Sequence, residues 1–243
     1  MILEICANSI DSAIAAQNGG ANRIELCENL NEGGTTPSYG TLLLTRQQVS
    51  IDLYALIRPR SGDFLYSAFE FEIMKADILK CKELGYNGVV IGLLKPDGSI
   101  DVERTKSLVE LASPMGVTFH RAFDSCNNFE EALEDVISCG CERILTSGLK
   151  NTAIEGSDVL KKLLDLAEDR IIIMPGSGIK ASNIKFLKEL VPAKEWHASA
   201  KTTSVSTMEY HNPELQNMGG TISKSNETEI KDLVRKLNFQ ESL

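Results

Sequence analysis

Titratable side chains recur at every second position in two short apolar segments of this sequence. Glu4 and Cys6 lie in the first segment, and Glu25 and Cys27 repeat the same spacing in the second. Side chains two positions apart in a β-strand point to the same face, so each pair is predicted to line one interior surface. Carboxylates and thiols gathered on such a surface are suited to proton transfer or to metal binding.

Three carboxylates are expected on this surface: Glu4, Glu25 and Glu195. Burying any one of them without a partner would cost roughly several kcal/mol of free energy, so each carboxylate needs a partner. Arg58, Arg121 or a histidine are the partners that the sequence suggests. A structural network of ion pairs is the alternative to a functional role for each of these carboxylates.

The segment His-Arg-Ala-Phe-Asp places an imidazole and a carboxylate, His120 and Asp124, where a predicted strand ends. In α/β barrels the catalytic side chains lie at the ends of the strands. Histidine is also the side chain that exchanges protons most readily near neutral pH. His120, Glu25 and Asp124 are therefore the predicted acid/base catalytic residues.

Two cysteines, Cys6 and Cys27, end consecutive strands that should be neighbours about 4.8 Å apart. Two thiolates in this arrangement could hold a soft monovalent ion such as Cu(I), which prefers sulfur ligands. The alternative is that both are small buried residues that fill the top of a barrel. Cys139 and Cys141 fall at a helix-to-strand turn on the opposite face, so we interpret them as structural.

Glycines and basic residues near other strand ends predict a site for an anion. Gly176 and Gly178 follow the seventh strand, where barrels often bind phosphate through exposed backbone N–H groups. Arg58 and Arg60 flank a proline after the third strand and suit a carboxylate or phosphate. With His197, these are the predicted substrate-binding residues, and a tight turn and a solvated arginine pair are the alternatives.

The elements that must position these side chains alternate along nearly the whole chain. Short runs rich in Ile, Val and Leu are separated by helical segments, which is typical of βαβ units around a parallel sheet. The pattern predicts one (β/α)8 TIM barrel, a single α/β domain over residues 1–243. The predicted strands are residues 2–6, 23–27, 53–58, 88–92, 117–120, 143–146, 171–174 and 195–198.

A polar segment rich in Ser, Thr, Asn and Gly occupies residues 201–226, between the eighth strand and a last helix over 227–237. Loops of this length are either functional lids or disordered, and the sequence leaves both open.

Charge and hydrophobicity limit the classes of partner that the protein is expected to bind. The formal net charge of -9 argues against a nucleic acid, whose binding relies on Lys and Arg. Neither a secretory signal nor a membrane-spanning run is recognisable, so we expect a cytoplasmic protein with no membrane partner. The six cysteines should be free thiols in that compartment. A homo-oligomer is compatible with the sequence, which does not fix the oligomeric state.

Five stretches together resemble the CutC copper homeostasis family, over roughly residues 1–203. The His-Arg-Ala-Phe-Asp and Arg-Pro-Arg segments are specific in combination. The stretches are Arg-Ile-Glu-Leu-Cys at 23–27, Gly-Gly-Thr-Thr-Pro-Ser at 33–38, Ile-Arg-Pro-Arg-Ser-Gly-Asp-Phe at 57–64, Thr-Phe-His-Arg-Ala-Phe-Asp at 118–124 and Glu-Trp-His-Ala-Ser-Ala at 195–200.

The resemblance implies a barrel fold, a cytoplasmic location and a role in copper tolerance or trafficking, with Cys6 and Cys27 matching the positions proposed to bind Cu(I). The residues themselves favour another function, an enzyme that acts by acid/base chemistry on a small anionic metabolite, with phosphorylated metabolites among the candidates. The sequence does not decide whether the protein is an enzyme. Its expected partner is either a copper ion or a small anion.

Overall fold

The computed structural model describes residues 1–210, 212, 214 and 221–238. Within them, eight parallel strands form a nearly closed barrel, each followed along the chain by at least one helix, so the predicted (β/α)8 fold is confirmed. The strands are β1 (Ile2–Ala7), β2 (Arg23–Leu26), β3 (Asp52–Leu56), β4 (Gly88–Ile91), β5 (Gly116–Phe119), β6 (Arg143–Thr146), β7 (Ile172–Pro175) and β8 (Glu195–Ala198).

Helices surround the barrel, and several of them begin at residues whose side chains cap the helix. Ser67 accepts from the backbone of Glu70, whose carboxylate accepts from the Ser67 backbone N–H, which is the capping box expected from their spacing. Asn128 caps a second helix through its side-chain oxygen. The helices are α1 (Ile10–Asn18), α2 (Tyr39–Gln48), α3 (Ala68–Glu83), α4 (Val102–Ala112), α5 (Phe129–Ser138), α6 (Ser157–Ala167), α7 (Ile184–Leu190) and α8 (Glu227–Asn238).

Adjacent strands pair in sequence order, and β1 also pairs with β8. The register places Cys6 opposite Glu25, and Glu4 opposite both Arg23 and His197. β7 and β8 lie side by side, but no backbone ladder joins them within the described residues. The eight strands therefore surround the barrel axis completely, but the ring of backbone hydrogen bonds is interrupted between β7 and β8.

Alternate residues of each strand pack in opposite directions. Leu3 and Ile5 of β1 belong to the apolar core that the sheet shares with the helices, and Trp196 of β8 is fully buried there. Glu4 and Cys6 take the intervening positions and contact the other interior side chains. The interior of the barrel is thus unusually polar for a packed core, as the period-two pattern predicts.

Two strand glycines make room for one tyrosine inside the barrel. A Cβ atom on Gly88 would lie 2.0 Å from the Tyr54 ring, and one on Gly116 would lie 2.4 Å from the Tyr54 hydroxyl. The hydroxyl donates a hydrogen bond to Glu142. Tyr54 therefore fills the end of the barrel at which the strands begin, opposite the end at which they finish.

The polar segment 201–226 is not a loop throughout. Residues Lys201–Val205 and Thr221–Ser225 form two antiparallel strands, β9 and β10, which pair with each other and not with the barrel. Residues 211, 213 and 215–220 of the segment lie outside the described residues. The last helix, α8, then packs against α1 and α7 and buries Ile230 completely.

Among the described helices, none combines the length and the hydrophobicity that crossing a bilayer requires.

Candidate functional site

A cavity of about 650 Å³ opens where the barrel strands end. Its size lies within the range of sites for small molecules. Loops after most strands contribute to its walls, and residues before β9 and at the start of α8 complete the rim. The lining includes Cys6, Glu25, Leu30, Gly33, Leu56, Arg58, Phe64, His120, Arg121, Leu145, Ser177, Gly178, Ile179, Lys180, Ser182, His197, Ser199, Lys201, Asn226 and Glu229.

Cys6 and Cys27 meet at the floor of this cavity, with 3.2 Å between their sulfur atoms. Both side chains are buried, and Cys6 lines the cavity. The hydrogen bond between the two thiols, together with burial, raises the pKa of Cys6 well above its ordinary value. The structure thus brings the two thiols together, as the strand pattern predicts, and Cys6 is a protonated thiol at neutral pH.

His197 lies beside the thiols and is held between two carboxylates. Its Nδ1 atom is 2.8 Å from Glu4 Oε1, and its Nε2 atom is 3.7 Å from Glu25 Oε2. Burial opposes a charge on the imidazole, but the hydrogen bond to Glu4 and the Glu25 carboxylate raise the pKa of His197. Burial also raises the pKa of Glu25, an effect that His197 partly offsets.

Beneath the cavity, Arg23 and Arg143 neutralise the other buried carboxylates. Arg23 pairs with Glu4 and with Glu195, and Arg143 Nε lies 2.8 Å from Glu195 Oε2. Burial opposes ionisation of Glu4, but Arg23 and the hydrogen bond from His197 lower its pKa to about 2.

The sequence-based choice of Arg58 or Arg121 as partners of these carboxylates is wrong. Of the suggested partners, the histidine is the one that the structure places on a carboxylate, since His197 contacts Glu4. Arg23 and Arg143 were missed although each begins a strand and occupies an inward-facing position. That placement was the available signal, because a long side chain at the start of one strand reaches carboxylates on its neighbours.

His120 faces the cavity as a neutral hydrogen-bond donor. Its Nδ1 atom accepts a hydrogen bond from the backbone N–H of Ala122 at 3.0 Å, which leaves the proton on Nε2. That Nε2 atom is buried and has no protein partner within the described residues. Burial and the nearby Arg58 lower the pKa of His120 to about 3. Gly92 gives the imidazole its space, since a Cβ there would lie 2.4 Å from the ring.

Arg58 is buried at the wall of the cavity, two residues beyond the end of β3. Its terminal nitrogens donate to the carbonyl oxygens of Glu32, Gly34 and Gly62. The Nε atom is buried and has no hydrogen-bond partner among the described residues. Arg58 therefore brings a fixed positive charge to the wall of the cavity.

Two of the predicted residues lie away from the main cavity. Arg60 pairs with Asp63 and Glu70 on the surface and does not line it. Asp124 accepts hydrogen bonds from Thr146, from Ser147 and from the Leu149 backbone, and it faces a second, shallower pocket. The geometry gives Asp124 the task of fixing the loop after β6.

The glycine loop after β7 borders the cavity as expected. Gly178 lines the cavity, and Gly176 packs beneath it, where a Cβ would lie 2.5 Å from Leu145 and 3.4 Å from His197. Ser177 also has a left-handed backbone, with a φ of 75°. Lys180 and Lys201 stand on the same part of the rim. The loop thus combines backbone N–H groups with positive charge, which suits an anion.

Comparison with known proteins gives a consistent result. The model of the CutC family matches residues 1–202. A family protein CutC from Chromobacterium violaceum is 54% identical over 209 residues, which is 86% of this chain and 85% of that protein. The copper homeostasis protein cutC homolog of Homo sapiens is 46% identical over 224 residues, 92% of this chain and 82% of its own length. The crystal structure of a CutC protein from Streptococcus agalactiae superposes with a TM-score of 0.78 at 32% identity, covering 82% of this chain and 98% of that one.

Proposed function

Because this chain belongs to the CutC family, we propose that it serves copper homeostasis in the cytoplasm by binding Cu(I) between Cys6 and Cys27. The observation that carries the proposal is the distance of 3.2 Å between the two sulfur atoms at the floor of an open cavity. Sulfur ligands select Cu(I), and two adjacent thiols supply the low coordination number that this ion accepts.

Binding requires deprotonation of the thiols, because the thiolate is the form that ligates a metal. The raised pKa of Cys6 means that Cu(I) must displace a firmly held proton from this thiol. Copper uptake should therefore release protons and grow stronger as the pH rises.

The experiment is a competition for Cu(I) between the protein and a coloured Cu(I) chelator under anaerobic conditions. Cys6→Ser and Cys27→Ser should each lower the affinity at least 100-fold. Cys139→Ser is the matched control, since Cys139 is equally buried but lies at the end of α5 and donates only to a backbone carbonyl. It should bind Cu(I) as the wild type does. Equal affinity in all four proteins would refute the proposal.

A second function is favoured by one separate observation, the buried and unpartnered Nε2–H of His120 at the cavity wall. Leaving such a donor without an acceptor costs about 1–3 kcal/mol, which a bound ligand oxygen would recover. We therefore also propose that the cavity binds a small anionic, phosphorylated or carboxylated molecule on which the protein acts as an enzyme.

In this second function the roles follow from the geometry. His120 donates to a ligand oxygen, Arg58 supplies a positive charge, and the loop at Gly178 receives the anionic group. Glu25 is the proton acceptor, because burial brings its pKa upward toward neutrality and it lines the cavity. This assignment changes the sequence-based role of His120 from an acid/base catalyst to a hydrogen-bond donor.

The test is to denature freshly purified protein and identify small molecules that it releases by mass spectrometry. His120→Ala and Arg58→Ala should each reduce the amount recovered by at least tenfold, whereas Arg60→Ala, outside the cavity, should not. Added phosphate should raise the melting temperature of the wild type, and Gly178→Asp should abolish that rise. Recovery that is indifferent to His120 and Arg58 would exclude this function.

A further inference from the structure

Beside the two thiols, the cavity floor holds two further potential metal ligands, Glu25 and His197, that the copper proposal does not use. We propose that Cys6, Glu25 and His197 form a site for a divalent cation of the zinc type, with one coordination position open to the cavity. The three ligand atoms lie within 4.8 Å of one another and come from β1, β2 and β8. This site shares Cys6 with the Cu(I) site and is otherwise independent of it.

The spacing is close to that of a tetrahedral centre. Zinc binds thiolate at ~2.3 Å and imidazole or carboxylate at ~2.0–2.2 Å, which places tetrahedral ligand atoms roughly 3.4–3.6 Å apart. His197 Nε2 and Glu25 Oε2 are 3.7 Å apart before any metal draws them together. The three ligand atoms lie at most 4.8 Å apart. Shifts in side-chain position of about an ångström would therefore bring them to tetrahedral spacing.

His197 already has the outer contact that metal-binding histidines require. Its Nδ1 atom is hydrogen-bonded to Glu4, which is fully buried and paired with Arg23. A carboxylate on the far nitrogen fixes the ring and its tautomer, so that Nε2 presents its lone pair to the metal. The Glu4 contact therefore holds the ring with Nε2 toward Glu25, 3.7 Å from its Oε2 atom.

Charge balance favours a divalent ion in this position. Arg23 and Arg143 neutralise Glu4 and Glu195, which leaves Glu25 paired, within the described residues, only with the His197 imidazole at 3.7 Å. A divalent ion with the Glu25 carboxylate, the Cys6 thiolate and a neutral imidazole sums to zero charge. Buried charges are retained when they are paired or bind a metal, so the pocket is electrostatically complete with the ion present.

The fourth position faces the cavity, because Cys6, Glu25 and His197 all line it. Three protein ligands and one open position are the arrangement of catalytic rather than structural zinc sites. The ligand class for that position is a water molecule or an oxygen of a small anion, and the His120 donor stands in the wall of the same cavity.

The experiment measures Zn²⁺ binding to metal-free protein by competition with a chromophoric chelator. His197→Ala and Glu25→Gln should each lower the Zn²⁺ affinity at least 100-fold, and Glu4→Gln, behind the histidine, should lower it about 10–100-fold. Cys27→Ser should bind Zn²⁺ within threefold of the wild type. Circular dichroism of each variant establishes that the barrel is intact.

Cu(I) titration of the same variants separates the two proposals. Cys27→Ser should lose Cu(I) and keep Zn²⁺, whereas His197→Ala should lose Zn²⁺ and keep Cu(I). Loss of Zn²⁺ binding on Cys27→Ser, or its retention in both His197→Ala and Glu25→Gln, overturns the proposed ligand set.

Co²⁺ added to the wild type gives a readout that depends on no substitution. The spectrum should show a thiolate-to-cobalt charge-transfer band and intense visible bands of a four-coordinate ion. A weak octahedral spectrum without the thiolate band overturns the proposal.

Discussion

At the scale of single residues, His120 shows how one backbone contact determines the chemistry of a side chain. The Ala122 N–H occupies Nδ1, so the imidazole is a donor at Nε2 and has no free lone pair for a proton. The sequence identifies this histidine correctly as a cavity residue, since it ends a strand at an inward-facing position. It does not reveal the protonation state, which depends on the loop that folds back after β5.

The low pKa of His120 gives a testable dependence of stability on pH. An unfolded histidine takes up a proton near pH 6.5, whereas His120 in the folded protein does so only near pH 3. Between these values the unfolded state binds more protons, so His120 lowers the free energy of unfolding as the pH falls from 6.5 toward 3. His120→Gln should therefore be less sensitive to acid by about 2.5 kcal/mol between pH 7 and pH 4.5.

The measurement is urea unfolding of both proteins at several pH values. A difference in unfolding free energy that stays constant between pH 7 and pH 4.5 would show that His120 titrates normally. The neighbours of the imidazole, Arg58 and the Phe64 ring at 5.1 Å, are the same residues in both proteins.

Arg23 is buried and pairs with two buried carboxylates, so its removal should have a large effect on stability. Arg23→Met leaves Glu4 without its guanidinium partner and weakens the pairing of Glu195. Removing one member of a buried ion pair costs about 3–5 kcal/mol. Arg170→Met is the control, because its pair with Glu134 is exposed and should matter by less than about 1 kcal/mol. Equal urea midpoints for the two variants would contradict this expectation.

The period-two pattern predicts from sequence which carboxylates and thiols face inward, and Glu4, Cys6 and Glu25 do so. It does not predict which basic residue each carboxylate meets. Those partners depend on the stagger of the strands around the barrel, which brings Arg143 of β6 to Glu195 of β8 across β7. Stagger is a property of the closed sheet and leaves no local trace in the sequence.

At the scale of elements, the pairing of Gly88 with Tyr54 illustrates how a strand is shaped by its neighbour. The ring of Tyr54 lies under the guanidinium groups of Arg23 and Arg143, at 5.3 and 5.4 Å from its centroid. Gly88→Ala would place a methyl group inside this stack, so it should destabilise the protein by about 1–3 kcal/mol. In a Tyr54→Leu background the same change should cost at least 1 kcal/mol less, by roughly the coupling expected between contacting residues.

Gly40 of α2 provides the matched control, since a Cβ there meets no atom within 4 Å. Gly40→Ala should stabilise the helix by about 0.5–1 kcal/mol. Urea denaturation of the wild type, Gly88→Ala, Tyr54→Leu, the double variant and this control gives all the values needed. An unchanged cost of Gly88→Ala in both backgrounds would show that the tyrosine is not the cause.

All eight barrel strands are predictable from sequence because each one has a buried, apolar face. The β9–β10 ribbon is not, and its sequence gives the reason. Lys201–Val205 and Thr221–Ser225 bury little beyond Ser225, so polar residues occupy both faces and the hydrophobic pattern that marks a strand is missing. A ribbon of two mostly exposed strands reads as a loop for that reason.

At the scale of the whole molecule, α8 joins the end of the chain to its beginning. Ile230 packs on Gly19 at the end of α1, where a Cβ would lie 2.4 Å from the isoleucine side chain. Ile230→Ala should therefore cost about 2–5 kcal/mol. Ile222→Ala, in the exposed ribbon, should change the free energy of unfolding by less than about 0.5 kcal/mol.

Trp196, the single tryptophan of the sequence, is a built-in probe for this comparison. It is fully buried on β8, so its fluorescence reports the barrel itself. If α8 is integral to the fold, fluorescence and circular dichroism should show one coincident transition in both isoleucine variants. An early transition in circular dichroism alone would mean that α8 unfolds separately.

The interval between β7 and β8 gives the barrel a line of weakness. Every other neighbouring pair is joined by a backbone ladder, whereas these two strands lie side by side without one, within the residues that the structure describes. Opening there breaks no ladder, so thermal breathing should concentrate along it. In heavy water, the amides of β7 and β8 should exchange before those of β2 and β3, which are paired on both sides. The barrel would then open and close mainly along the interval between β7 and β8, and His197 of β8 lies beside that interval.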